Sequence, residues 1–360
     1  MCIRDRSKEK VTSQQVAELA GVSQSAVSRV YTPGASASKK TTLKVHKAAA
    51  TLGYRPNVLA RAMVSGKSRM IGLVVAYLEN QFYPDAIEKL STQLQEKGYH
   101  VLIFMASKTA GNIDSVVEEI LDYQVEGIIV ASVALSSQLA DRCRLAGIPI
   151  VLFNRSQDGE GLSCVTSDNF SGGAKAARFL LAGGHKKIGY IAGWEGASTQ
   201  RDREFGFTAA LQQAGASLYA REVGDFSMEK ASAATRRMFS DAQSSTVLIN
   251  SPDAALRGIP DAVFVANDHM AFAVMDTLRF ELGLRVPEDV SVISYDDVPA
   301  AAWPAYNLTT VRQRADQMVQ ETVRILMEQI HGDGLQSQQI AIGSPVILRG
   351  SARIPEGWDL

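Results

Sequence analysis

The stretch VTSQQVAELAGVSQSAVSRV, residues 11–30, has the spacing of two short helices joined by a tight turn. Its first half places four apolar side chains at helical intervals, where we expect them to be buried: Val16, Ala17, Leu19 and Ala20. Gly21 follows where a helix can end in a left-handed residue, and Ser23 can cap a second helix. In that helix Val27 and Val30 are expected to face inward, which exposes Gln24, Ser25, Ser28 and Arg29. Such side chains can reach base edges and phosphates in a major groove, so the pattern favours a DNA-binding helix-turn-helix over an ordinary helical hairpin with a solvated polar face.

A third helix is predicted between Ser38, a suitable N-cap, and Gly53, a suitable helix end. Its apolar residues fall on one stripe, so three helices can enclose a small core. After Pro56 comes a short amphipathic segment, residues 57–64. A helix of this length is marginal in water, so we expect it to order only against DNA and its own symmetry mate.

Charge is distributed unevenly along the chain. Residues 1–69 contain thirteen Lys and Arg but only three Asp and Glu, whereas the rest contains 24 basic and 35 acidic side chains. The overall net charge of −1 therefore hides a basic arm on an acidic body. This distribution is typical of a protein that meets phosphates at one end. A solvated charge run is the alternative, but these cations are spread through predicted helical positions.

Length and composition limit the class of protein. A chain of 360 residues with 46% hydrophobic content can form two or three domains. It has no run of about 18 apolar residues and a polar N-terminus, so we expect no membrane span, no secretory signal and a cytoplasmic location. The three cysteines are scattered without a CxxC pair, which favours reduced thiols over disulfides or a zinc site. We expect Cys164 to lie in the core and His185 at the surface.

From residue 70 onward, short apolar runs alternate with amphipathic helical stretches, as in a parallel sheet covered on both faces. The predicted strands contain IGLVV (71–75), VLIF (101–104), GIIVA (127–131), PIVLF (149–153), KIGYIAG (187–193), AVFVAND (262–268) and VSVIS (290–294). A second set begins near Asp168, so the pattern predicts two similar halves with one cleft. Ligands in such sheets bind outside the carboxyl ends of the strands.

The residues that follow these runs are polar or aromatic: Phe82, Tyr83, Asn154, Arg203, Asn267, Asp268 and Asp296. Carboxylates and amides accept from hydroxyls, an Arg donates twice, and flat rings cover an apolar sugar face. We therefore expect a small polyol, a sugar or a sugar acid in the cleft. Asp268 is assigned mainly to capping the next helix, whereas Arg203 and Asp296 are assigned to the ligand together with Asn267. Phe82 is assigned to packing as readily as to recognition.

Four segments, in order and at their spacing, resemble the lactose-repressor (LacI/GalR) family of transcription regulators: VAELAGVS (16–23), VSRV (27–30), LGYRPN (52–57) and LARAM (59–63). The resemblance implies that a hinge helix follows the headpiece and adds DNA contacts from Asn57, Ala60 and Met63. In that family an apolar hinge side chain wedges into the minor groove at the operator centre. Met63 stands where most members carry Leu.

Four segments of the second part are also similar to that family: RDREFGF (201–207), VFVANDHMA (263–271), SYDD (294–297) and LTTVRQ (308–313). They imply effector contacts from Arg203, Asn267, Asp296 and Gln313. Asn154 replaces a more usual Asp, which removes a charge from the predicted site.

The resemblance implies an α/β protein with an N-terminal helix-turn-helix headpiece and hinge helix, followed by a two-lobed periplasmic-binding-protein-like core of doubly wound parallel sheets. The expected boundaries are 1–56 for the headpiece, 57–68 for the hinge helix and linker, 69–166 with 313–342 for the N-terminal lobe, and 167–312 with 343–360 for the C-terminal lobe.

The sequence thus predicts a transcription regulator, most often a repressor in this family, that binds a pseudo-palindromic double-stranded operator as a homodimer. A small carbohydrate-like effector is expected to control DNA affinity, with no cofactor and no metal. A cytoplasmic solute-binding protein and an enzyme on the same fold are the alternatives. The sequence has no GxGxxG after the first strand, no GK[ST] loop, no GxSxG and no HExxH, which disfavours the enzyme. The basic headpiece disfavours a solute-binding protein.

Overall fold

A computed structural model of the chain describes residues 11–32, 34–56, 67–106, 113–131, 136–157, 161–240, 258–332 and 336–358. The chain forms two compact units, residues 1–69 and residues 70–360. The predicted hinge helix falls within residues 57–66 and lies outside the described residues.

The first unit is a bundle of three helices, α1 (Ser13–Ala20), α2 (Gln24–Tyr31) and α3 (Lys39–Leu52). The predicted caps are confirmed: the Ser23 hydroxyl accepts from the Ala26 N–H, and Gly21 ends α1 with φ 63°. The Ser38 side chain caps the start of α3 by accepting from the Thr41 N–H, and Gly53 ends the helix with φ 68°. Thr12 adds a capping box with Gln15 at the start of α1 that the sequence prediction missed.

Small apolar side chains fill the core of this bundle: Val16, Ala17, Ala20, Val27, Val45, Ala48 and Ala49. The prediction for Leu19 is wrong, because its side chain is 54% exposed. Leu19 lies three positions from Val16 but also next to Glu18, on the side of α1 that the other two helices leave open to solvent.

The second unit contains two six-stranded sheets. The first sheet has the order β11-β5-β4-β3-β1-β2, and all its pairs are parallel. Its strands are β1 (Met70–Val75), β2 (His100–Met105), β3 (Gly127–Ala131), β4 (Ile150–Phe153), β5 (Ser163–Ser167) and β11 (Gln339–Ile342). The flanking helices are α4 (Phe82–Glu96), α5 (Ile113–Asp122), α6 (Ser137–Leu145) and α11 (Ala315–His331).

The second sheet has the order β12-β10-β9-β8-β6-β7 and is parallel except for the pair of β10 with β12. Its strands are β6 (Ile188–Ala192), β7 (Ala220–Val223), β8 (Ala262–Val265), β9 (Ser291–Asp296), β10 (Thr309–Arg312) and β12 (Val346–Ile347). The flanking helices are α7 (Asn169–Ala182), α8 (Ser198–Gln213), α9 (Met228–Met238) and α10 (Asp268–Asp276). The predicted doubly wound α/β architecture is therefore confirmed.

The predicted apolar runs all coincide with strands, and every one of these strands except β2 is buried along its whole length. Strands β5, β7, β10, β11 and β12 are not predicted by the apolar runs. Strands β7 and β11 lie at sheet edges and contain half-buried and exposed residues, so they lack an apolar run. The chain passes between the sheets after β5, after β10 and between β11 and β12.

Two further expectations concern single residues. Cys164 is buried, as predicted, and burial raises its thiol pKa to about 11. The expectation for His185 is wrong, because this residue is only 3% exposed. Its Nδ1 lies 3.4 Å from an Asp261 carboxylate oxygen and 3.1 Å from the Arg353 guanidinium, so charged partners hold the ring inside the fold.

Candidate functional site

Helix α2 exposes the four side chains that the sequence predicts to meet DNA: Gln24, Ser25, Ser28 and Arg29. Gln24 donates to the Ser13 hydroxyl at 2.9 Å, which ties the start of α2 to α1. Arg29 is exposed, and its Nε donates to the Ser25 carbonyl one turn back on the same helix at 3.4 Å. The remaining predicted DNA contacts, Asn57, Ala60 and Met63, lie outside the described residues.

Asp296 is the centre of a buried polar cluster at the carboxyl ends of both sheets. It ends β9 with φ 125°, a strained backbone geometry for a residue with a side chain. Its carboxylate accepts from Gln313 Nε2 at 2.7 Å and from Asn80 Nδ2 at 3.0 Å. Arg203 NH2 lies 3.4 Å away. Burial raises the Asp296 pKa, and the Arg203 charge opposes that rise.

Arg203 reaches this cluster from α8 and is 2% exposed. Its Nε donates to the Asn169 side chain at 2.9 Å and its NH1 donates to the Ala266 carbonyl at 2.6 Å. The guanidinium carbon also lies 3.7 Å from the centre of the Tyr295 ring. Together with the Asp296 carboxylate, these contacts fix the orientation of one buried cation.

The close packing of α7 on α8 holds Asn169 beside Arg203. A Cβ at Gly206 would lie 2.0 Å from the Phe170 carbonyl oxygen, and one at Gly173 would lie 2.1 Å from the Arg203 carbonyl oxygen. Only glycine fits where the two backbones approach this closely.

Asn154 and Tyr83 form the opposite wall, on the first sheet. Asn154 follows β4 with φ 66°, and its Nδ2 donates to the Tyr83 hydroxyl at 3.1 Å. Phe82 stacks on Phe153 with 6.1 Å between ring centres, which supports the packing alternative for Phe82. Tyr77 packs edge-on against Tyr83, and burial raises its pKa well above the ordinary value.

Three buried polar atoms of this cluster have no hydrogen-bond partner among the described residues: Asn154 Oδ1, Gln313 Oε1 and Arg155 Nε. Arg155 is 8% exposed, and its guanidinium carbon lies 5.3 Å from the centre of the Trp194 ring. Unsatisfied buried groups are costly, so such atoms mark a place for a ligand or water. A groove of about 650 Å³ with Phe82, Asp296 and Gln313 in its wall adjoins the cluster.

The assignment of Asp268 as a helix cap is wrong. Asn267 caps α10, since its Oδ1 accepts from the Met270 N–H at 3.0 Å. Asp268 points into the fold, where it accepts from the Thr310 hydroxyl at 2.7 Å, the Val298 N–H at 2.9 Å and the Ser294 hydroxyl. Burial raises the Asp268 pKa to about 7, and the nearby Asp296 charge adds to this rise.

Hydrogen bonds join the two lobes directly around Asp296. Asn80 of the first lobe donates to Asp296 of the second. The Ser156 N–H donates to the Ser198 hydroxyl at 3.0 Å, and the Ala300 N–H contacts Gln81 Oε1 at 3.4 Å. The lobes are thus closed on each other at the cluster.

Sequence reasoning missed Asn80, Arg155 and Phe226. Asn80 and Arg155 follow β1 and β4, so the same rule that selected Phe82 and Asn154 could have found them. Phe226 follows β7, which has no apolar run to direct attention to it. Both Asp225 and Phe226 have φ 54°, and the Phe226 ring covers Gly193, where a Cβ would lie 2.2 Å from the ring.

No group of three or more His, Cys, Asp or Glu side chains in the described part of the chain is arranged to hold a metal ion. Among the helices described, none combines the length and the apolar character needed to cross a membrane.

Two family models match the sequence. Residues 12–57 match bacterial regulatory proteins of the lacI family, and residues 177–352 match the periplasmic binding protein-like domain. The HTH-type transcriptional repressor PurR of Photobacterium profundum is 27% identical over 348 residues, 95% of this chain and 98% of that protein. The ribose operon repressor of Escherichia coli (strain K12) is 28% identical over 344 residues, 95% and 99% respectively.

Solved structures agree with these matches. The lac repressor dimer bound to operator and the anti-inducer ONPF superposes with a TM-score of 0.83 at 26% identity, over 95% of this chain and 99% of that chain. The complex of the transcriptional regulator CelR with cellobiose gives a TM-score of 0.67 at 28% identity, over 95% and 100%. The chain is therefore similar to transcriptional repressors and to a transcriptional regulator over about 95% of its length.

Proposed function

We propose that this chain is a LacI-family bacterial regulatory protein, and that it is a transcriptional repressor controlled by a small ligand. The ligand binds between the two lobes of the core and sets the affinity of the headpiece for operator DNA. A sugar or a sugar acid is the ligand class that the chemistry of the cluster favours.

One observation carries the ligand half of this proposal: the buried Arg203–Asp296 pair lies beside buried polar atoms that lack a partner among the described residues. Two of these atoms, Asn154 Oδ1 and Gln313 Oε1, are acceptors, and Arg155 Nε is a donor. A hydroxyl group both donates and accepts, so one polyol can satisfy all three. The rings of Trp194 and Phe226 can cover the apolar face of such a ligand.

We assign seven residues to the effector site: Phe82, Tyr83, Asn154, Arg203, Asn267, Asp296 and Gln313. The Asp296 carboxylate and Gln313 Oε1 accept from ligand hydroxyls, and Arg203 orients Asp296 as well as the ligand. The Asn267 oxygen is engaged in capping α10, so Asn267 contributes through its amide N–H₂. Asn80 and Arg155 join these seven because they contact the same buried cluster.

In the headpiece, α2 lies in the major groove and presents Gln24, Ser25, Ser28 and Arg29 to base edges and phosphates. The hinge segment adds Asn57, Ala60 and Met63 in the minor groove. Since one headpiece reads one half-site, two copies of the chain are needed for a pseudo-palindromic operator.

Ligand and DNA are coupled through the angle between the lobes. If the ligand binds one lobe arrangement more tightly, it shifts the population toward that arrangement and changes operator affinity by the same free energy. The hydrogen bonds of Asn80 and Ser156 across the cleft support the proposal that the ligand acts on this contact between the lobes. Induction and corepression follow equally from this coupling.

The proposed domain boundaries are 1–56, 57–68, 69–166 with 313–342, and 167–312 with 343–360. Strand β11 joins the first sheet and β12 the second, which supports a boundary between 342 and 343. We propose a cytoplasmic location, because the operator is DNA. The curated relatives are repressors, and we propose that this chain, like them, binds its sugar without converting it.

The test has two parts on the full-length protein. Operator sites are selected from a pool of random double-stranded DNA, and neutral pentoses, hexoses and sugar acids are screened for an increase in melting temperature. The proposal expects a palindromic consensus, at least one stabilising sugar, and that sugar recovered unchanged. Failure to enrich any DNA sequence contradicts the repressor, and chemical conversion of the sugar indicates an enzyme.

A further inference from the structure

Arg155 carries a buried positive charge that no anion of the described chain matches. It follows β4 of the first sheet and is only 8% exposed. Its Nε is buried without an acceptor, and no ion pair or hydrogen bond joins its guanidinium to any residue that the structure describes. Burial of an unpaired charge is costly, so this position favours a negatively charged partner.

The guanidinium of Arg155 lies in the cleft, where the two lobes meet. Its carbon is 5.3 Å from the centre of the Trp194 ring, and Trp194 follows β6 of the second sheet. Contact with an aromatic face attracts a cation, but this attraction is smaller than the cost of removing the charge from water. Closure of the lobes therefore brings Arg155 into a place where a cation lacks compensation.

Helix α8 begins at the same place, and its start favours a negative charge. The N-cap residue is Ala197, so no side chain caps this helix. The first N–H groups of a helix have no partner within it, and together with the helix dipole they attract anions. The Ser198 hydroxyl at this helix start accepts from the Ser156 N–H at 3.0 Å. Because Ser156 is the next residue after Arg155, the unmatched cation and the uncapped helix start lie together.

The acidic side chains around the start of α8 are already paired with other cations. Glu195 accepts from Arg221 NH2 at 2.9 Å, and Glu204 accepts from the same nitrogen at 3.0 Å. The Asp296 carboxylate is the anion next to Arg203. Within the described residues, the cleft thus holds one arginine with a carboxylate beside it and one arginine without.

We propose that the effector is a sugar acid whose carboxylate pairs with Arg155 at the start of α8, while its hydroxyls contact Asp296, Asn154 and Gln313. A carboxylate supplies the single negative charge that Arg155 lacks, and its two oxygens fit the planar fork of a guanidinium. A neutral sugar leaves the cation unmatched, and a phosphate brings more than one negative charge. The inference rests on the proposed function and names the ligand class of its effector site.

The same pairing makes the ligand favour closed lobes. In the closed arrangement Arg155 meets Trp194 across the cleft, and the carboxylate removes the charge penalty of that arrangement. A ligand with a differential affinity for one arrangement shifts the population toward it. The acid group thereby contributes to the switch as well as to recognition.

The first test compares matched ligands on the full-length protein by calorimetry. The probes are aldonic acids of the tetrose, pentose and hexose series, the corresponding alditols, which carry CH₂OH in place of the carboxylate, and the corresponding sugar monophosphates. At least one acid should bind about thirtyfold or more tightly than its alditol, as expected for a buried charge pair. Equal affinities of every acid and its alditol, tighter binding of a monophosphate than of any acid, or no binding by any acid overturns the inference.

Operator selection with the same preparation separates this inference from the proposed function. A palindromic consensus together with binding of neutral sugars only overturns the sugar-acid assignment and leaves the repressor standing. Failure to enrich any DNA sequence contradicts the repressor, and acid binding measured in the same preparation still decides the assignment of Arg155.

The second test changes the cation with the best acid and its alditol as probes. Arg155→Gln should weaken acid binding about thirtyfold or more and leave alditol binding nearly unchanged, so the discrimination is lost. Arg155→Lys keeps the charge without the fork and should restore part of it. Arg142→Gln is the matched control, because Arg142 is an exposed arginine of the same lobe that pairs with Glu118 on the surface. It should bind both probes as the wild type does.

Melting temperatures of the ligand-free proteins separate a binding role from a structural one. Because Arg155→Gln removes an unmatched charge, this variant should melt at a temperature no lower than the wild type. A lower melting temperature with unchanged discrimination between acid and alditol would assign Arg155 to the stability of the fold and overturn the inference.

Discussion

Asp296→Asn tests whether the Asp296 carboxylate contacts the effector in the cleft. The carboxylate accepts from Asn80 at 3.0 Å and from Gln313 at 2.7 Å, and it is the anion next to the buried Arg203. Asn offers one acceptor instead of two and turns an N–H₂ group toward donors. A hydrogen bond to a charged group contributes about 1.5 to 3 kcal/mol, so the effector concentration needed for half-maximal response should rise about tenfold to a hundredfold.

The same substitution leaves the Arg203 charge buried without its anion. Removal of one partner of a buried pair costs about 3 to 5 kcal/mol, and the Asn169 oxygen, the Ala266 carbonyl and the Tyr295 ring offset part of that loss. We therefore expect the free energy of unfolding to fall by about 2 to 3 kcal/mol, measured by urea denaturation. Operator affinity without effector is measured in parallel, because the Asn80–Asp296 hydrogen bond joins the two lobes whose arrangement is proposed to set DNA affinity.

Asp261→Asn provides the matched control. Asp261 belongs to the same lobe but precedes β8, at the amino ends of the strands, where it contacts His185 and accepts from the Lys186 and Lys187 N–H groups. It should lose stability without changing the effector response. An unchanged effector response in Asp296→Asn, or equal changes in both variants, would refute the assignment of Asp296 to the ligand.

Three other predictions concern the headpiece, the lobe scaffold and pH. Arg29→Ala should weaken specific operator binding by about 1 to 3 kcal/mol and leave effector binding intact. If a phosphate contact is lost, the slope of log affinity against log salt should also fall by about 0.9. Unchanged binding at physiological salt would contradict this. Gly206→Ala should cost about 1 to 3 kcal/mol of stability, because its Cβ would lie 2.0 Å from the Phe170 carbonyl oxygen. The control Gly343→Ala should be nearly neutral, because its Cβ would have no heavy atom within 4 Å. Equal melting temperatures of the two variants would contradict the close packing of α7 on α8. Since burial raises the Asp268 pKa to about 7, its contribution to stability is present at low pH and is lost as pH rises toward and through that value. Unfolding free energies at pH 5 to 8 should show this loss in the wild type, and a similar slope in Asp268→Asn would assign it to other groups.

Local signals in the sequence predicted much of the fold. Gly21, Ser23, Ser38 and Gly53 determine helix ends through bonds within a few residues, so their roles follow from residue type alone. Buried central strands also have to be continuously apolar, which made them visible. Edge strands such as β7 have no such requirement, and only pairing with β6 identifies β7 as a strand.

Tertiary contacts decided the details that the sequence left open. Asn267 and Asp268 are both suitable caps, and only the nearby Ser294 and Thr310 hydroxyls draw Asp268 into the fold. The partner of Asp296, Asn80, is 216 residues distant in the chain. The single turn of π-helix that follows α10, Thr277–Glu281, has no periodic signature, because it differs from an α-helix by one residue.

The most direct test of the account measures one coupling in both directions. Operator dissociation constants are determined by fluorescence anisotropy without ligand and with a saturating concentration of the sugar that stabilises the protein. The dissociation constant of the same sugar is determined by calorimetry with the protein free and bound to operator. The account predicts at least about a fivefold change in operator affinity and an equal factor in sugar affinity. A sugar that binds the cleft but leaves operator affinity the same in its presence and absence would contradict it.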